Sequence, residues 1–258
     1  MTEPLATARL DGLTVLVAGA TSAAGVAAAR ALDEAGATVL AAGTDRSRLD
    51  ERLPFAAERH VCDLSDRASV ARLAEDFRGA GRRVDGLIHL VGGWRGGKGL
   101  AGQTDDDWDF LHRNVLTTLR NTSRAFYDDL VASRNGRLAI VSATAVDRPT
   151  ASGANYATAK ASAEAWTRAV AAGFTAAQSG HKTEPVPQRA AAVAFVIKAF
   201  VDEAARRAEP DKAFSGFTDV RDFGAAVVRL FETDAGLVNG ARLPLVPDEA
   251  PTVPNTPG

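Results

Sequence analysis

Cysteine is nearly absent. Cys62 stands alone in 258 residues, so no intrachain disulfide can form and a secreted, disulfide-stapled scaffold is excluded. Zinc spacing is missing too. His60, His89, His112 and His181 are scattered, with no repeated Cys/His pattern, and no metal is expected. Long hydrophobic runs are lacking: the longest uncharged apolar stretch, Ala190–Ile197, is far too short to span a bilayer. The N-terminus carries acid and proline rather than a basic stretch followed by an apolar one, which reads as no signal peptide. Neither sign of charge dominates. Thirty Lys and Arg face 32 Asp and Glu, interspersed along the chain, which argues against a nucleic-acid or anionic-membrane surface. These absences leave a cytoplasmic protein that meets a small molecule, not a nucleic acid or a membrane.

What is present suits a sizeable core. Apolar residues make up 46% of the chain, and nothing in the composition marks a domain division. Short β-rich runs alternate with helical patterns, the signature of βαβ units and a parallel sheet. The runs are Leu13–Ala18, Ala37–Ala42, Arg59–Cys62, Val84–Val91, Leu138–Ala143 and Ala190–Ile197, with a last strand near 241–246. Helical stretches are predicted from the first turn to about Ala35, and at 66–79, 105–132, 154–178 and 219–232. The expected fold is therefore α/β: a Rossmann-type, doubly wound parallel sheet of about seven strands in one domain over 1–246. Gly92–Gly99 and Gly180–Gln188 read as loops from their glycines and prolines, and the proline-rich 247–258 as a flexible tail.

The first strand runs into a glycine-bearing turn in "VLVAGATSAAGVAAARAL". Gly19 follows the strand and Gly25 opens the helix. Such glycines let the backbone approach a pyrophosphate, while helix N-terminal N–H groups face the anion. Gly19, Thr21, Ser22, Ala24 and Gly25 are thus candidate cofactor-binding residues. The spacing resembles the TGxxxGxG pattern of the short-chain dehydrogenase/reductase family, with Ala18 for the threonine and Ala23 for the middle glycine. An NAD-preferring relative would place an acid about eighteen residues beyond Gly25, where Gly43 stands. Thr44 and Arg46 follow, and Arg46 could meet a 2′-phosphate, so NADP is favoured over NAD. The resemblance implies that Asp63 and Leu64 hold the adenine edge. It also implies that Val91 and Gly92 end the fourth strand, with His89 and Leu90 in place of the family's asparagines.

"YATAK" places Tyr156 and Lys160 on one face of a predicted helix. An ammonium beside a phenol favours the phenolate, so Tyr156 could pass a proton while hydride moves to or from the cofactor. Asn114 falls where the family's helix-bending asparagine lies, and the resemblance implies that it supports a water chain to the lysine. The family's serine, thirteen residues before the tyrosine, is Ala143 here. Ser142 and Thr144 flank it but should point to the opposite side of the strand.

The missing serine and the "VGGWRGG" loop resemble the dihydropteridine reductase branch of the family. That branch implies a quinonoid heterocycle, which accepts hydride with less polarisation than a ketone. Trp94 would then offer a stacking face, with Thr144 and Phe200 beside it. Arg95 and Lys98 are read as solvated. A substrate cover is expected at about 198–217. The expected activity is NAD(P)-dependent oxidoreduction of a carbonyl or conjugated heterocyclic small molecule in a homodimer or homotetramer. The alternative is a degenerate member that binds a dinucleotide and catalyses little.

Overall fold

The computed structural model describes residues 10–246 apart from Lys182; the tail expected at 247–258 lies outside the described residues. β1 (Thr14–Ala18), α1 (Ala23–Glu34), β2 (Thr38–Gly43), α2 (Arg46–Arg52), β3 (Glu58–Val61) and α3 (Arg67–Gly79) form the first winding. β4 (Gly86–His89), α4 (Asp105–Leu111), a π-helical turn (His112–Thr117), α5 (Thr118–Ala132), β5 (Gly136–Ala143) and α6 (Ala154–Gln178) continue it. A hairpin of β6 (Gly180–His181) and β7 (Glu184–Pro185) precedes β8 (Ala190–Ile197). Then come β9 (Phe200–Val201), α7 (Glu203–Ala208), β10 (Thr218–Asp219), α8 (Val220–Glu232), α9 (Ala235–Val238) and β11 (Arg242–Pro244).

Seven strands pair in parallel in the order β11-β8-β5-β4-β1-β2-β3. After β3 the chain returns to the other side of β1, so winding reverses between β1 and β4. In open α/β sheets the crevice beyond the strand C-termini at this reversal is where ligands bind. The period of two in β1 sends Leu16 and Ala18 to the face under α3, α5 and α6. Val15 and Val17 go to the face under α1 and α8. β8 is buried along its whole length, as a central parallel strand covered on both faces must be.

Three segments differ from the sequence expectation, each for a local reason. The stretch expected as one helix over 105–132 is broken at the π turn, where Asn114 Nδ2 donates to the Phe110 carbonyl at 2.8 Å. The loop expected at Gly180–Gln188 contains the short β6–β7 hairpin, entered from α6 through Gly180 at φ 66°. No helix was expected at Arg46–Arg52; Asp45 starts it by accepting from Arg48 N at 3.0 Å.

Candidate active site

The β1–α1 turn is built by close backbone approach. Gly19 has φ +80°, and a Cβ there would stand 2.9 Å from the Leu90 carbonyl carbon. A Cβ on Gly25 would meet the carbonyl oxygens of Gly19 and Ala20 at 2.6 Å. Ser22 caps α1: its hydroxyl accepts from Gly25 N and donates to the Gly19 carbonyl, both at 3.0 Å. The helix then starts at a fixed point beside the end of β4.

A cavity of about 480 Å³ opens from this turn. Ser22, Ala23 and Ala24 form one end, and His89–Trp94, Val141, Tyr156, Lys160 and Ile197–Phe200 form the rest. It brings together Ser22, Ala24, Val91, Gly92, Trp94, Tyr156, Lys160 and Phe200 from the sequence expectation. Gly19, Thr21, Gly25, Asn114 and Thr144 do not line it, and neither do Thr44, Arg46, Asp63 and Leu64 at the exits of β2 and β3.

Lys160 is buried, and its ammonium donates to the Val141 carbonyl at 2.8 Å. Burial pulls its pKa down to about 8, against an opposing pull from Glu164. Its Nζ lies 5.8 Å from the Tyr156 ring centroid. Burial raises the Tyr156 pKa, opposite to the expected lowering by lysine. Desolvation of the phenol is the cause.

His89 sits under this pair, with Nε2 3.1 Å from Thr118 Oγ1 and Nδ1 3.2 Å from Thr122 Oγ1. Both hydroxyls also donate to backbone carbonyls, Thr118 to Asn114 at 2.6 Å and Thr122 to Thr118 at 2.9 Å, so each offers the ring a lone pair for its one N–H. Burial first, and then the charge of Lys160, lower the His89 pKa to about 3, so the ring is neutral. No direct hydrogen bond joins Asn114 to Lys160; its side chain is turned to Phe110.

Ser142 Oγ donates to Glu164 Oε1 at 2.5 Å, on the α6 side of β5. Buried Glu164 faces Arg242, whose Nε is 2.9 Å from Oε2 but misaligned for a hydrogen bond. Arg242 forks onto both carboxylate oxygens of Asp147, at 2.8 and 2.9 Å. Thr144 begins a short 3₁₀ turn away from the cavity.

At the adenosine end the expected guanidinium is turned elsewhere. Arg46 donates to the Arg59 carbonyl at 2.9 Å and lies 3.7 Å from Asp50. Sequence reasoning missed Arg52, which reaches from α2 to the Thr21 carbonyl at 2.5 Å and has no carboxylate partner among the described residues. Gly43 is closely packed, since a Cβ there would meet side-chain carbons of Leu49 and Thr21 at 3.3 and 3.5 Å. Asp63 Oδ1 accepts from both the backbone and the hydroxyl of Ser65.

Over the cavity mouth, Trp94 is 66% exposed, its ring close above Gly96. Arg95 is exposed, as read from the sequence, and it also stacks 3.7 Å from the Phe110 ring centroid and lies 3.6 Å from Asp107. Lys198 was also missed, although a lysine directly after a strand C-terminus is a signal the parallel-sheet rule could have raised. Among the described residues no cluster of three or more His, Cys, Asp or Glu could hold a metal, and no helix is long and apolar enough to cross a membrane.

The sequence profile described as "short chain dehydrogenase" matches residues 13–178. A 3-oxoacyl-acyl-carrier-protein reductase of Thermotoga maritima is 28% identical over 159 residues, 59% of this chain and 64% of that enzyme. The reductase of the same description from Vibrio harveyi is 25% identical over 91% of this chain and 96% of its own. Among solved structures, a gluconate 5-dehydrogenase of Burkholderia cenocepacia, in complex with NADP and tartrate, superposes with TM-score 0.75 at 24% identity, covering 92% and 95% of the two chains. An NADPH-bound short chain oxidoreductase of Pseudomonas aeruginosa, described as containing an atypical catalytic centre, gives 0.77 at 19% identity, covering 92% and 96%.

Proposed function

The chain belongs to the short-chain dehydrogenase family, and from that premise we propose that it is an oxidoreductase moving hydride between a nicotinamide dinucleotide and a conjugated, quinonoid or pterin-like ring or a carbonyl compound. The observation that carries this reading is one cavity joining the Ser22–Ala24 turn to Tyr156 and Lys160. Its residues fit such a cofactor. Gly92 leaves space beside Lys160, since a Cβ there would stand 3.7 Å from Nζ.

A dinucleotide bound there supplies or takes up the hydride. Tyr156 holds the proton: its raised pKa keeps the phenol protonated at neutral pH, so it acts as general acid when substrate is reduced. Lys160, charged below about pH 8, stabilises the phenolate that remains. With Ala143 at the position of the family's serine and Ser142 committed to Glu164, no hydroxyl of β5 polarises a substrate oxygen. That absence favours a ring that accepts hydride readily over an unactivated ketone, and the exposed Trp94 offers the ring a flat face. At the adenosine end, Arg52 on the Thr21 turn, with no carboxylate at Gly43, favours NADP over NAD.

The test is a titration of NADPH and NADH against the wild type and Lys160→Ala. Micromolar binding of either cofactor, weakened by the substitution, supports the reading. Binding of neither by the wild type removes it.

A further inference from the structure

Two phenylalanines of the segment after β8, Phe214 and Phe217, form an edge-to-face pair with ring centroids 5.5 Å apart. Three cations gather on them. Arg206 and Lys212 approach Phe214 at 5.7 and 5.1 Å, and Lys198 approaches Phe217 at 5.8 Å. Two of the three have a carboxylate partner: Arg206 has Asp219 at 3.4 Å, shared with Arg221, and Lys212 has Glu209 at 3.0 Å. Lys198 has no carboxylate among the described residues. Its Nζ donates only to the Ser215 carbonyl, at 3.0 Å.

Lys198 is also the cation of this group that lines the cavity. No Asp or Glu lines that cavity, and its other ionisable groups are neutral His89, protonated Tyr156 and Lys160. An uncompensated ammonium in a concave, acid-free site attracts an anion from water. Its tether to Ser215 leaves further ammonium protons to donate.

Resting on the oxidoreductase reading above, we propose that Lys198 receives the carboxylate of an anionic substrate, holding the acid group at the cover while the reducible part lies between Trp94 and Tyr156. A phosphate of the dinucleotide is the other anion that could meet this ammonium, and the two sources separate experimentally.

The probes are 2-naphthoate and its neutral amide, each titrated against the NADP⁺-loaded protein by calorimetry, in the wild type, Lys198→Gln and Lys198→Arg. Glutamine keeps a donor for Ser215 without the charge. The wild type is expected to bind naphthoate about tenfold more tightly than the amide. Lys198→Gln should lose that preference with the NADPH Kd unchanged, and Lys198→Arg should keep it. Equal binding of the two probes by the wild type, or a preference that survives Lys198→Gln, overturns the proposal. So does a weakened NADPH Kd in Lys198→Gln without loss of probe preference, which assigns the lysine to the cofactor phosphate. Failure of the wild type to bind NADPH and NADH at all is the separate result that removes the oxidoreductase reading.

Discussion

At the turn after β1, Gly19 and Gly25 lie so close to neighbouring backbone that any side chain collides with a carbonyl; at the ends of β4 and β5, His89, Leu90 and Ala143 present side chains held by their surroundings rather than by the main chain. The first region is fixed by main-chain geometry, which tolerates only the absence of a Cβ. The second is fixed by side-chain partners, which can be exchanged if the buried polar groups remain satisfied. His89 is a buried polar side chain of this kind: both ring nitrogens lie within hydrogen-bond distance of hydroxyls on α5, and the ring stays neutral. The cradle end is therefore expected to resist change, and the reaction end to carry this protein's particular chemistry.

The sharpest way to break the comparison is Tyr156→Phe. It should lower kcat about 1,000-fold, equivalent to about 4 kcal/mol of barrier, while NADPH affinity stays within about twofold. Activity within tenfold of the wild type would remove Tyr156 from the acid role.

Acid stability tests the buried His89. Above pH 6.5 His89 is neutral whether the chain is folded or unfolded, so stability is at its full value. Below 6.5 the unfolded chain takes a proton that the folded chain, with its pKa near 3, refuses, and stability falls. Between pH 6.5 and 4 the loss is on the order of 3 kcal/mol relative to His89→Asn. Urea melts of both proteins at the two pH values measure it, and parallel losses would place the acid sensitivity elsewhere.

Gly25→Ala asks whether the cradle is as intolerant as its contacts imply. A destabilisation of about 2 kcal/mol is expected, with NADPH and NADH binding weakened alike, because the turn must shift to relieve the collision. An alanine variant with wild-type melting and cofactor affinity would show that the turn has slack. The smallest effect sits at the adenosine end: Arg52→Gln should weaken NADPH about tenfold and leave NADH unchanged. Equal losses for both cofactors would make Arg52 a brace for the Thr21 turn rather than a reader of the 2′-phosphate.

The strand–turn–helix unit was legible because its signals are local. A β-rich run, two glycines six residues apart and an alanine-rich helix follow one another in the chain, and backbone sterics alone dictate the turn. The same holds for α6, whose predicted span of 154–178 is the one observed, and for Tyr156 and Lys160 on its inner face. The sheet's size and winding follow from alternation of strand and helix over the whole chain.

Tertiary structure decided the rest. Whether Arg46 or Arg52 reaches the cofactor turn depends on where α2 lies against β3, and no spacing within α2 records that. The direction of the Tyr156 shift depended on how deeply the phenol is buried among neighbouring elements. The place of Lys198 after a strand was legible, but its lack of a carboxylate partner among the described residues is a property of neighbours up to twenty residues away. The sequence by itself determined the parallel α/β scaffold, the glycine turn and the paired tyrosine and lysine, since each rests on periodicity or backbone sterics within one element. Which charges are neutralised and which remain available to a ligand was decided by packing between elements, because electrostatic pairing depends on distances that only the folded chain sets.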